Sequence, residues 1–417
     1  MPKSLFHKMT KFKPVCQIPL SNFSKLLVLF WLLVSVNSCK AQTSPPDLKV
    51  VVGADQTELY LSLIKNKNIA LVANPTSCIG NVHLVDTLKS LGVSISCVFA
   101  PEHGFRGKAE AGELIGNDID KATGVKIVSL YGKHKKPTKE DLLKVDIVIF
   151  DIQDVGVRFY TYISTLQYVM EACAENNLEL IILDRPNPHG YYIDGPVLDT
   201  AYKSFVGMQA IPVVHGLTIG EYAQMLNGER WLENKVKCKL KIIKVKNWDH
   251  SKKYELPIAP SPNLPNQIAV NLYPSLCFFE GTIVSVGRGT DMPFQIFGYP
   301  NMPEGNYSFT PKSIVGKAKN PPHENSKCQG FDLTDFGILY ADQGRQLYLN
   351  WLIQSYHSSD DKTNFFNPFF DKLAGNSILK KQIIEGIEES QIRNSWGPDL
   401  LSYRMMRKKY LLYQDFK

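Results

Sequence analysis

Three stretches of this 417-residue chain set carboxylates beside arginine and glycine. They are Pro101-Glu102-His103-Gly104-Phe105-Arg106-Gly107, Asp151-Ile152-Gln153-Asp154-Val155-Gly156-Val157-Arg158 and Asp184-Arg185-Pro186-Asn187-Pro188-His189-Gly190. Carboxyl groups donate protons, accept them and stabilise nearby positive charge. Arginine binds an anionic oxygen pair through its fork of N–H donors, and glycine lets the backbone turn sharply. Candidate catalytic acids are therefore Glu102, Asp151 and Asp154. Candidate ligand-binding residues are His103, Arg106, Arg158, Tyr160, Asp184, Asn187, His215 and Arg288.

Each stretch follows an apolar, β-branched run, and those runs alternate with helical patterns. Ile69–Ala73, Ser94–Ala100, Lys126–Tyr131, Asp146–Phe150 and Leu178–Leu183 are expected strands; 83–91 and 160–176 are expected helices. In the second helix Ile163, Leu166, Val169, Met170 and Cys173 share one face. Strands that are apolar throughout and joined by helices predict a parallel sheet covered on both sides. The fold class is thus α/β, a Rossmann-like doubly wound domain over residues 49–250, followed by a smaller α/β or α+β lobe over 251–417. The Pro-rich run 257–265 marks the change. In the second lobe, strands are expected near 281–286 and 295–298, and helices near 334–356 and 378–389.

Ligands of such sheets bind beyond the carboxyl ends of the strands, where all three acidic stretches lie. Neighbouring strands are about 4.8 Å apart, so these carboxyls can sit about 5–10 Å from one another, a range that suits acid/base cleavage of a glycosidic bond. Structural roles compete with this. Glu102 and Arg106 can form a surface ion pair, Asp151 and Asp184 can cap helices, and His215 fits a satisfied histidine behind a site. Thr218-Ile219-Gly220-Glu221 spells a capping box. Ser261-Pro262-Asn263 and Arg288-Gly289-Thr290-Asp291 are polar loops placed to close a cleft from the second lobe.

Hydrophobic residues make up 44% and charged residues 21%, ordinary values for a globular protein. The net charge of +7 is misleading, because Lys3, Lys8, Lys11, Lys13 and Lys25 precede Cys39 with no acid among them, which leaves +2 for the rest. No localised basic excess points to nucleic acid. Residues 1–39 have the pattern of an export signal, with the apolar run Leu26–Val34 ending at Val36-Asn37-Ser38-Cys39. Cys39 is expected to be lipidated, giving a membrane attachment through lipid only and an envelope or periplasmic location, with 40–48 as a tether. The other cysteines after it are widely spaced and several lie in apolar runs, so no essential disulfide is expected. No dinucleotide fingerprint, Walker loop, zinc helix or serine elbow is present, and no cofactor or metal is expected. A metal set drawn from His103, Asp151, Asp154 and His215 is the weaker alternative.

The strings PEHGFRG, GVRFYTYISTLQYVMEACAE, LDRPNP, DGPVLD, SFVGMQAIPVVHGLTIGEYAQML, PSPNLPN, YPSLCFFEGT and VSVGRGTDMPFQIFG resemble the DUF1343 family. That family includes exo-β-N-acetylmuramidases of the NamZ type (glycoside hydrolase family 171). The resemblance extends from about residue 50 to the C-terminus. It implies an active site between a Rossmann-like domain and a smaller lobe, and release of N-acetylmuramic acid from the non-reducing end of peptidoglycan fragments. The family's proposed catalytic glutamate falls on Glu102; Gln209 and His189 depart from the usual pattern. On that basis Glu102 is the expected general acid and Asp151 or Asp154 the second group. Arg106 is expected to turn away from Glu102 and, with Arg158 or Arg288, to hold the lactyl carboxylate of muramic acid. Tyr160 and Tyr162 are expected against the sugar face. A lipid-anchored saccharide-binding protein without catalysis and a metal-dependent hydrolase are the alternatives.

Overall fold

A computed structural model describes residues 48–106 and 118–416. The leader, Cys39 and all but the last residue of the expected tether lie outside the described residues. The first lobe is built on six parallel strands: β1 (Asn68–Ala73), β2 (Ser94–Ala100), β3 (Lys126–Ser129), β4 (Ile147–Asp151), β5 (Glu179–Leu183) and β6 (Lys239–Ile243). Their spatial order is β3-β2-β1-β4-β5-β6, with the short strand Asp118–Ile119 antiparallel to β3 at the edge. This is the doubly wound order, with its switch of direction between β1 and β4.

Alternation of side chains explains how one sheet serves two cores. Ala70, Val72, Val148, Phe150, Leu180 and Ile182 face one layer, against helices α3 (Tyr162–Glu175) and α4 (Ile219–Gly228). Ile69, Leu71, Ala73, Ile149, Ile181 and Leu183 face the other, under α1 (Thr57–Ile64) and α2 (Leu84–Ser90). Helix α4 starts with the anticipated capping box: Thr218 Oγ1 accepts from Glu221 N at 3.2 Å, and Glu221 Oε2 accepts from Thr218 N at 2.9 Å. Strand β6 is absent from the sequence expectation. Its pattern, Lys239-Leu240-Lys241-Ile242-Ile243, suits an edge strand, where lysines discourage further pairing.

The second lobe starts with α5 (Gln267–Leu276) and a 3-10 turn, Cys277–Gly281. It continues with an antiparallel sheet in which β9 (Cys328–Asp332) lies between β7 (Ile296–Tyr299) and β8 (Tyr307–Phe309). The strand expected near 281–286 is instead the end of that turn and a run tied to β7 by a single bridge, Ser285 to Gly298. The two long helical segments are each divided, into Thr334–Gln343 and Asn350–Ser358, and into Ile378–Ile384 and Glu389–Arg407. Gly386, with φ 71°, lies in the second break.

The core behind α3 and α4 runs without interruption into this lobe through Leu272, Phe278, Phe297 and Phe370. Arg158 fastens the junction. Its Nη1 donates to Pro196 O and Ile211 O at 2.7 and 2.8 Å, and its Nη2 to Leu373 O and Ala374 O, both at 2.8 Å. The side chain is fully buried, so replacing it takes a donor from four carbonyls, and Ile211 O keeps another in Leu198 N at 3.1 Å. Arg158→Leu is expected to cost about 3 kcal/mol or more, read as a lower midpoint in urea denaturation. Arg158→Lys should recover little, since an ammonium cannot span the four acceptors.

Candidate active site

Glu102 leaves the end of β2 in a tight turn closed by Gly104 N donating to Pro101 O at 3.0 Å. His103 and Gly104 are both left-handed, at φ 72° and 75°. A histidine in that region carries local strain of order 1–3 kcal/mol, a feature often found at functional sites. The turn directs Glu102 into a cavity of about 170 Å³ whose wall alternates between the lobes. From the first lobe come Glu102, His103 and the run Phe159–Tyr162; from the second come Ser261, Asn263, Tyr273, Glu280, Arg288 and Phe294. Its size fits a single sugar rather than a strand of them.

Burial pushes the Glu102 carboxyl above the usual carboxylate range. A hydrogen bond from Thr161 Oγ1 to Oε2 at 3.0 Å and the charge of Arg288 oppose that shift, while the negative charge of Glu280 adds to it. Thr161 caps α3, so the helix that covers the sheet also sets one contact of the acid. Glu280 stands on the 3-10 turn after α5. Its Oε1 accepts from Arg288 Nε at 2.5 Å, and the guanidinium lies 5.1 Å from the Phe294 ring centroid. Arg288 is presented by two left-handed glycines. A Cβ on Gly287 would lie 2.6 Å from Ile296 Cγ1, and one on Gly289 would lie 2.6 Å from the carbonyl of Lys312. The Gly287-Arg288-Gly289 run is thus a mount for an arginine.

The cavity gathers five of the residues expected from sequence: Glu102, His103, Tyr160, Tyr162 and Arg288. Tyr160 forms wall more than contact surface, since it is 7% exposed and its hydroxyl donates to Pro260 O at 2.9 Å. Ser261 and Asn263 close the cleft as anticipated. The remaining expected residues lie outside the cavity wall, for identifiable reasons. Asp151 is fully buried at the switch point and takes Arg185 Nε and Nη2 at 2.6 and 3.0 Å, so an ion pair fills the crevice where such folds seat nucleotides. Asp154 accepts from Gly156 N at 2.6 Å, and burial pushes its carboxyl up to about 7. His215 sits 4.0 Å from Asp154 and is pushed down to about 3 by burial, which keeps the ring neutral.

Arg106 does turn away from Glu102, but to Asp86 and Asp120 rather than to a ligand, with contacts of 2.8–3.0 Å. Arg158 is spent on the lobe junction. Asp184 accepts from Thr218 Oγ1, Gly220 N and Tyr413 OH at 2.8, 2.9 and 2.5 Å, tying the C-terminal segment to the sheet. Asn187 donates to Leu217 O at 2.9 Å and packs against Gly156, where any Cβ would collide with its amide. Sequence reasoning missed Glu280. A signal existed: in Leu276-Cys277-Phe278-Phe279-Glu280-Gly281 a lone acid follows an apolar run, and half-burying a carboxylate is costly without a purpose. Among the described residues no group of three or more His, Cys, Asp and Glu side chains is placed to hold a metal ion.

Comparison with known proteins bears on the same site. The model of exo-β-N-acetylmuramidase NamZ, N-terminal, matches residues 69–268, and that of its C-terminal part matches residues 271–413. Peptidoglycan β-N-acetylmuramidase NamZ of Bacillus subtilis (strain 168) is 38% identical over 375 residues, covering 85% of this chain and 89% of that protein. A DUF1343 family protein from Bacteroides fragilis NCTC 9343 has a crystal structure that superposes with a TM-score of 0.82 at 48% identity, over 88% of this chain and all of that one. A second DUF1343 structure from the same organism gives a TM-score of 0.70 at 29% identity, over 88% of this chain and 99% of that one. With both of its lobes matched in order, and an acid-bearing pocket between them, the chain belongs to the exo-β-N-acetylmuramidase NamZ family.

Proposed function

We infer that this protein is a glycoside hydrolase that removes N-acetylmuramic acid from the non-reducing ends of peptidoglycan fragments, with Glu102 as its general acid. The observation that carries the assignment is the half-buried Glu102 carboxyl, held above its ordinary pKa in a one-sugar cavity that a second carboxylate, Glu280, shares. A general acid must be protonated before it can transfer a proton to the leaving oxygen, and desolvation of Glu102 favours that form. Glu280 opposes the positive charge that develops at the anomeric carbon. Arg288, oriented through Nε by Glu280, offers its terminal amino groups to the lactyl carboxylate that distinguishes muramic acid from glucosamine. A pocket of one-sugar size suits a chain end better than the middle of a strand, in keeping with exo action.

Glu102→Gln should keep the fold, because the amide is isosteric and Thr161 can still donate to it. It should lower turnover of a chromogenic N-acetylmuramic acid glycoside by about 10²–10⁴-fold, the range for a lost general acid. Persistent turnover by a folded variant would remove Glu102 from this role.

The pH dependence follows from the hydrogen bond. Thr161 favours the ionised form of Glu102, so Thr161→Val raises its pKa further. The acid then stays protonated to higher pH, and the alkaline limb of the kcat profile should move upward relative to the wild type.

The proposal extends to location. The basic start, apolar run and terminal Val36-Asn37-Ser38-Cys39 support export and lipid attachment at Cys39. Metabolic labelling with radioactive palmitate should mark the full-length protein in a bacterial host and leave Cys39→Ser unlabelled.

A further inference from the structure

A second concavity of about 450 Å³ lies beside the catalytic pocket, its wall including Lys135, Tyr168, Lys203, Phe205, Gln209 and Trp231, with the carboxylates Glu171 and Glu233, both within reach of Lys136, also on it. Three elements supply both sites. The loop after β3 carries Tyr131, which hydrogen-bonds to Glu102, and then Lys135. Helix α3 presents Thr161 to the pocket and Gln167 to the groove, six residues and about 9 Å farther along its axis. The turn closed by reciprocal Ser204–Gly207 bonds of 3.0 Å points Val206 into the pocket and Phe205 into the groove.

The chemistry of the groove is that of a saccharide platform. Phe205 and Tyr168 lie with ring planes 12° apart and centroids 6.1 Å apart, and Lys135 Nζ sits 4.2 Å from the Phe205 centroid. Gln209 is oriented by donating to Gln167 Oε1 at 2.9 Å and to Trp231 O at 3.1 Å. Among the described residues neither Lys135 nor Lys203 has a carboxylate partner, whereas neighbouring Lys136 gathers Glu171, Glu175 and Glu233. Peptidoglycan alternates N-acetylglucosamine with N-acetylmuramic acid. A peptide-free strand with its terminal muramyl residue in the pocket therefore brings a second lactyl carboxylate two sugars later.

We propose that this groove binds the leaving portion of the glycan, with aromatic faces and Gln209 against the sugars and Lys135 and Lys203 toward that second carboxylate. The assignment rests on the muramidase reading of the neighbouring pocket and deepens it, because it makes the enzyme selective for longer fragments of alternating acidic glycan.

The test compares kcat/KM for a muramic-acid-terminated tetrasaccharide of alternating sequence with that for the chromogenic monosaccharide glycoside. Tyr168→Ala and Lys203→Glu should each lower the tetrasaccharide-to-monosaccharide ratio about tenfold, and Tyr168→Phe, which keeps the ring, should preserve it. Calorimetric binding of the tetrasaccharide to Glu102→Gln should weaken by about the same factor when Tyr168→Ala is added. A ratio unmoved by both substitutions, or tetrasaccharide affinity indifferent to Tyr168, overturns the groove assignment. Absence of turnover on either substrate by the wild-type enzyme would count against the muramidase reading instead, and the binding measurement would still decide the groove.

Discussion

The architecture depends on a buried guanidinium that has no counterion among the described residues. Arg158 sits between the lobes with its charge spread over four backbone carbonyls, two from each side. An arginine stays protonated in such a place because it cannot readily give up its proton, so the carbonyls must stay aligned on it. Phe159, Tyr160, Thr161 and Tyr162 follow directly and form the pocket wall. The same side chain that joins the lobes thereby fixes the start of α3 and the hydroxyl that meets Glu102.

The site is electrostatically asymmetric. Glu280 faces an arginine on a rigid mount, with Arg288 Nε 2.5 Å from its Oε1. Glu102 is hydrogen-bonded by the Thr161 and Tyr131 hydroxyls, and burial outweighs them to disfavour its charge. Two carboxyls in one cavity thereby sit in different surroundings, one paired with a guanidinium and the other with hydroxyls, and such a difference is what separates the roles of two carboxyls in one site. The usual ligand crevice of the fold, between β1 and β4, is filled by the Asp151–Arg185 pair. The pocket has moved instead to the end of β2, where the second lobe can cover it.

Much of this was legible in the chain itself. Continuous β-branched runs locate five of the six parallel strands to within one or two residues, because a strand buried on both faces cannot hide its composition. The capping box at Thr218 and the acid at Glu102 are likewise local facts. The reading weakened where residue type alone was asked to give direction. Asp154, Asp184, Asn187 and His215 are polar residues at strand ends or in loops, as binding residues are, yet all four are buried in hydrogen-bonded supports. Arg106 and Arg158 carry the right charge for a lactyl group but are held by other partners.

The sequence by itself determined the sheet, its winding and the strand that carries the acid, since these follow from periodicity and from short-range turn chemistry. Family membership was also legible there, in long ordered motifs. Only the tertiary structure decided which charged groups face the substrate. Glu280 lies 178 positions from Glu102, and the two meet in one cavity because a core shared by both lobes sets the 3-10 turn after α5 across from the turn that follows β2. No local pattern encodes that approach: whether an arginine binds a ligand or a carbonyl depends on what long-range packing leaves within its reach.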